Sequence, residues 1–103
     1  MSKNSIKEIV IYRSQEGQSE TFVEQGLPQL QGMASQFDGI KSHLTFQSTK
    51  EPELFLDIVE WESLEQAERA AQMMEEQMKK ADPTAQIAGF GKTDFFNHFK
   101  LIS

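Results

Sequence analysis

The sequence predicts an α+β protein of the ferredoxin-like βαββαβ plan, a four-stranded antiparallel sheet with two helices on one face. Three observations predict it. Four short segments are β-branched or aromatic and end in polar or turn-forming residues. Two longer segments repeat their apolar residues at helical spacing. The second and third extended segments are joined by the short "KEPE", as in an antiparallel hairpin.

The first strand is "IKEIVIYR", Ile6 to Arg13. The helix after it, "SETFVEQGLPQLQGMASQF", places Val23, Leu27, Leu30, Ala34 and Phe37 in one stripe. Ser19 is the expected N-cap, and Glu20 favours the first turn. Gly26 and Pro28 predict a kink or break, because proline removes a donor and crowds the preceding turn. Asp38-Gly39 turns the chain into "IKSHLTFQST", where Ile40, Leu44 and Phe46 alternate with Lys41, His43, Thr45 and Gln47.

Leu54 to Trp61 is the third strand. Ser63 then opens the second helix with a capping box to Gln66. Its inner stripe is read as Leu64, Ala67, Ala71, Met74 and Met78, and Glu65/Arg69, Glu75/Lys79 and Glu76/Lys80 are i,i+4 pairs on the wet side. It should stop near Asp82-Pro83. "TAQIAGFG" is a loose connection, and "TDFFNHFKLI" is the last strand. The expected strand order is 4-1-3-2, in a single domain spanning residues 1–103.

Composition removes several functions. There is no cysteine, which excludes disulfides and cysteine-ligated metal. Ten basic against sixteen acidic residues, net −6, argue against nucleic acid as a partner. No long apolar run suggests a membrane span, so a cytoplasmic protein is expected. His43 and His98 are 55 residues apart with no HxH or HExxH pattern, so no metal site is expected. Phosphate-loop and nucleophile-elbow motifs are missing as well. Both parities of the strands carry large apolar residues, so both sheet faces need cover. Two helices cover one face, and a second copy of the chain, in a homodimer, is expected to cover the other.

The run "VEWESLEQAERA", crossing from the third strand into the second helix of such a chain, resembles the antibiotic biosynthesis monooxygenase (ABM) superfamily of dimeric α+β barrels. The most specific part is Glu60-Trp61-Glu62-Ser63 followed by Ala67; the closing "FFNHFKLI" fits more loosely. The resemblance implies a cofactor-independent oxygenase acting on phenols or quinols, or a haem-degrading relative. The haem-degrading pattern needs a first-strand asparagine, the strand-three tryptophan and a histidine in the second helix. Trp61 matches, but those other positions fall near Tyr12 and Ala71, and the second helix has no histidine, so haem ligation is unsupported. No cofactor is expected.

Cofactor-free oxygenation of a phenol needs aromatic walls, one base and one or two hydrogen-bonding groups. His43 is the expected base. If the hairpin folds about Glu51, His43 faces Val59 and stands diagonal to Asp57, its expected orienter, and to Trp61. The plain alternative is a histidine beside a surface aspartate on an edge strand. Asn97 is the expected ligand of a substrate oxygen. Trp61, Tyr12, His98, Phe95 and Met74 are the expected walls and contacts for a small apolar aromatic ligand. Trp61 also reads as a seal between strand and helix. A His43→Ala variant is expected to lose activity with little change in stability. The rival function is a non-catalytic dimeric binding or stress-linked module of the same fold.

Overall fold

The computed structural model describes residues 5–80 and 83–103. Its elements run β1 (Ile6–Ser14), α1 (Ser19–Thr21), a π-helical turn (Phe22–Gly26), α2 (Leu27–Ala34), β2 (Ile40–Gln47), β3 (Leu54–Trp61), α3 (Leu64–Lys80), a 3-10 turn (Pro83–Gln86) and β4 (Phe90–Lys100). The strands form one antiparallel sheet in the order β2-β3-β1-β4, the order expected from the sequence. Among the described residues no helix is long and apolar enough to cross a membrane.

The register decides what each face carries. Ile6, Glu8, Val10 and Tyr12 of β1 stand opposite Trp61, Val59, Asp57 and Phe55 of β3, and this shared face lies under the helices. His43 pairs with Val59 and Thr45 with Asp57, as the hairpin count predicts. On β4, His98 pairs with Glu8 and Phe96 with Val10, so these two join the helix side.

Two apolar clusters fill the space between the layers. Ile6, Val59 and Trp61 pack beneath Ala67 and Ala70 of α3. Tyr12, Phe22, Phe55 and Ile87 form the second cluster, with Leu27, Leu30 and Met33 of α2 against them. Alanines let α3 approach the indole closely.

The first helical region departs from the expected stripe. Phe22 is fully buried and Val23 is exposed. The Leu27 N–H donates to the Phe22 carbonyl, five residues back, so one extra residue is taken up between them and the inward positions shift. Pro28 follows directly on the π turn, at the second position of α2, where it has no N–H to give to the turn before it. Gly26 is needed for a different reason: a Cβ there would lie 2.1 Å from the Ala88 carbonyl oxygen. Gln18, without a side-chain cap bond, precedes α1, so Ser19 is not the N-cap.

The second helix begins as expected, with Ser63 Oγ accepting the Gln66 N–H at 3.2 Å. A Ser63→Ala variant should lose about 1 kcal/mol of stability in a urea titration. Leu64 is exposed, and the inward positions are Ala67, Ala70, Ala71 and Met74. Leu64 is the first residue of α3 and lies over the groove between this helix and β4. Glu65 and Arg69 pair at 2.6 Å; the other two expected pairs do not form among the described residues. The Met78 side chain and the expected stop at Asp82 lie outside the described residues. β4 begins three residues earlier than expected and ends at Lys100. Irregular pairing at Ile11/Tyr12 and Arg13/Ser14 lets it continue alongside β1.

The helix-free face carries Ile9 and Ile11 of β1, Leu54, Leu56 and Ile58 of β3, Leu44 and Phe46 of β2, and Phe95 and Phe99 of β4. Leu44, Phe46, Phe95 and Phe99 are each 40–54% exposed.

Candidate functional site

Asp57 lies on β3 between Phe55 and Val59, at the seam of the two apolar clusters. A buried carboxylate there requires partners, and it has two. The Tyr12 hydroxyl donates to Asp57 Oδ1 at 2.8 Å, and His43 Nε2 meets Asp57 Oδ2 at 2.8 Å. Both side chains of the His43–Asp57 pair are largely withdrawn from water. β3 aims the carboxylate, β1 brings the phenol from one side, and β2 brings the imidazole from the other.

The hydrogen bond to Asp57 is the main cause that raises the His43 pKa above the ordinary 6.5; burial works against it, and the Asp57 and Glu8 charges add to it. Burial first, and then the adjacent Asp57 carboxylate, hold Tyr12 protonated far above the ordinary tyrosine range. Tyr12 is therefore a fixed donor to Asp57. With Nε2–H committed to Asp57, the other imidazole nitrogen is the one free to take a proton. His43 lines a cavity of about 210 Å3 with Gln31, Ala34, Ser35 and Ile40, between the end of α2 and β2.

A second histidine–carboxylate pair lies in the same face. His98 Nε2 meets Glu8 Oε1 at 2.9 Å, and both side chains are mostly buried. Burial pushes the Glu8 carboxyl up; His98, the indole of Trp61 and then His43 pull it back. Trp61 Nε1 is itself buried without a partner of good hydrogen-bond geometry among the described residues.

The expected site residues fall into four groups. His43, Asp57 and Tyr12 come together. Trp61 and His98 share their face, but Trp61 is packed in the core and lines neither cavity, while His98 lines a groove beside α3. Asn97 and Phe95 are on the opposite face, because Asn97 pairs with Ile9 and Phe95 with Ile11. The sheet separates them from His43, and Asn97 Oδ1 accepts the His98 N–H instead. Met74 is half-buried on α3 and lines neither cavity.

Solved structures with the same arrangement are numerous. A candidate antibiotic biosynthesis monooxygenase from Bordetella bronchiseptica matches with a TM-score of 0.71 at 15% identity, covering 97% of this chain and 99% of that one. The chain has the fold of the antibiotic biosynthesis monooxygenases. A candidate monooxygenase from Shewanella loihica PV-4 matches at TM-score 0.68 and 15% identity, over 100% and 99% of the two chains. SnoaB, a cofactor-independent oxygenase from Streptomyces nogalater, matches at TM-score 0.65 and 10% identity, over 97% and 93%. No family model matches the sequence, and no curated protein does.

On this antibiotic biosynthesis monooxygenase fold, sequence reasoning passed over Glu8, Gln31, Ser35 and Phe96. Glu8 carried a usable signal, since it is a charged residue between Ile6 and Val10 on the inward parity of β1. Gln31 and Ser35 carried none, because their place at the cavity depends on the helix phase that the π turn resets.

Proposed function

We propose that the protein is a cofactor-independent monooxygenase acting on an aromatic phenol or quinol, with His43 as its general base. The observation that carries this reading is the Tyr12–Asp57–His43 chain, two bonds of 2.8 Å each, ending at a cavity. Tyr12 holds one carboxylate oxygen, so the other stays aimed at the imidazole. His43 takes the phenolic proton, which leaves an electron-rich phenolate beside the imidazole. The substrate itself then supplies the electrons to dioxygen, one oxygen atom entering the ring system and the other leaving as water. The likeness to SnoaB in fold supports the reading. The competing reading, a non-catalytic binding module, draws on the closed packing of Trp61.

Oxygen uptake by the purified protein across hydroxylated naphthalenes, anthrones and quinols tests the two. Uptake above the uncatalysed rate, stoichiometric with product, is expected; no uptake with any of them transfers the proposal to the binding module.

The pH dependence has a definite sign. A base is lost when protonated, and the bond to Asp57 favours the protonated imidazole. The acid limb of kcat/KM should therefore lie above pH 6.5, and Asp57→Asn should move it down. The same shift acts on stability: its contribution is complete below the unfolded histidine value and lost as pH rises through the folded one.

The proposed assembly is a homodimer formed through the helix-free face, where Leu44, Phe46, Phe95 and Phe99 are exposed together. Phe46→Glu should give a monomer by sedimentation velocity. A variant that remains dimeric would place the interface elsewhere.

A further inference from the structure

One rung of the sheet carries His43, Glu8 and His98 on the helix side. His98 of β4 stands opposite Glu8 of β1, Glu8 opposite Val59 of β3, and Val59 opposite His43 of β2. Neighbouring strands lie about 4.8 Å apart, so the backbones of Glu8 and His43 are about 10 Å apart along the rung. His98 Nε2 meets Glu8 Oε1 at 2.9 Å, and both side chains are mostly buried. Trp61 is diagonal to Glu8, because it pairs with Ile6, and its buried N–H has no partner of good geometry among the described residues. Burial opposes the charged form of Glu8; the bond to His98 and then the indole favour it.

The other groups around the rung act differently. Asp57 bonds the His43 ring directly, and Tyr12 stays a protonated donor to Asp57. Above Ile6, Val59 and Trp61, α3 presents Ala67 and Ala70, and at the His43 cavity α2 brings the uncharged Gln31 and Ser35. The charged residues Glu65, Glu68, Arg69 and Glu75 of α3 line the groove at the His98 end of the rung. Glu8 is thus the second carboxylate whose charge acts on His43, after Asp57. A charge about 10 Å away under a layer of helices moves a titration by about 0.5 to 1 pH unit. We propose that Glu8 is a positioning residue for the base: anchored by His98, its charge stabilises the imidazolium that His43 becomes on taking the substrate proton. That role rests on His43 being the base; the action of Glu8 on the His43 ring does not.

The chain has two histidines, so ring-labelled histidine NMR follows His43 through a pH titration without any substrate, and His98→Gln assigns its signals. Glu8→Gln keeps the shape of the side chain and an oxygen for the His98 ring but removes the charge. It should lower the His43 midpoint by about 0.5 pH unit. The acid limb of kcat/KM for oxygen uptake should move down with it, and KM should stay unchanged, because Glu8 does not line the His43 cavity. Glu8→Asp, which keeps a charge on the same rung, should stay nearer to wild type than to Glu8→Gln. A His43 midpoint that holds still or rises in Glu8→Gln overturns the proposal and leaves the His43 reading intact. A fall as large in Glu8→Asp as in Glu8→Gln overturns it too, since the effect would then follow shape and not charge. A midpoint that falls while the acid limb stays in place supports the action of Glu8 on His43 and overturns His43 as the base.

Discussion

Replacing His43 with glutamine should lower kcat/KM for oxygen uptake by about 10²–10⁴-fold, the usual contribution of a positioned general base. Glutamine keeps a donor for Asp57 Oδ2 but has no nitrogen that accepts a proton at neutral pH. Alanine should lower activity as much, and it should also destabilise the fold. Asp57 is only 5% exposed, and the Tyr12 bond alone would leave half of a buried carboxylate without a partner. That cost is about 1–3 kcal/mol, contrary to the expectation that His43→Ala leaves stability nearly unchanged. The comparison to make is therefore oxygen uptake and urea stability for both variants side by side. Activity near wild type in the glutamine variant would remove His43 from the mechanism.

Phe22→Ala should be the most damaging single truncation in the core, at about 3–5 kcal/mol. Phe22 is 0% exposed and touches the two other aromatic rings of its cluster: Phe55 edge-on, with centroids 4.8 Å apart, and Tyr12 at 5.6 Å. The cavity left behind would open beside Tyr12, whose hydroxyl fixes Asp57, so activity should fall together with stability. Val23→Ala is the control. Val23 is 40% exposed, and its truncation should stay within about 0.5 kcal/mol. Equilibrium urea unfolding measures both. Equal losses at the two positions would mean that the helix turns with the phase the sequence stripe suggests, and not the one described above.

That contrast also shows how far the sequence could be read. From Ser42 to Gln47 the hairpin was legible, because a short link and clean alternation leave one register in which Leu44 and Phe46 share a face; Ile40 was not, since a shift in the pairing between Ile40 and Ser42 sets it opposite Trp61, against the core on the helix side. The same count placed His43 opposite Val59 and diagonal to Asp57, which is where the 2.8 Å contact forms. The face of β4 was not legible. Asn97 and His98 are adjacent, both faces of the sheet are apolar, and two irregularities in the pairing of β1 with β4 decide which side each one takes. The aspartate–tyrosine bond was hidden too, since it joins β1 to β3 across a pairing that no local pattern announces. The π turn was hidden for a different reason. Gly26 and Pro28 signalled an interruption, but the need for glycine at position 26 comes from the Ala88 carbonyl, more than 60 residues along the chain.

The π turn gives the helix layer an adjustable length. Between Phe22 and Leu27 the backbone holds one more residue than an α-helical turn would need for both side chains to point at the sheet. Deleting the exposed Val23 would return that stretch to ordinary α spacing, with Phe22 and Leu27 four apart and still facing inward. A shortening that would rotate every later inward residue of a regular helix out of register would here be absorbed in place. The cluster beneath α2 can thus keep its composition while the chain above it changes by one residue.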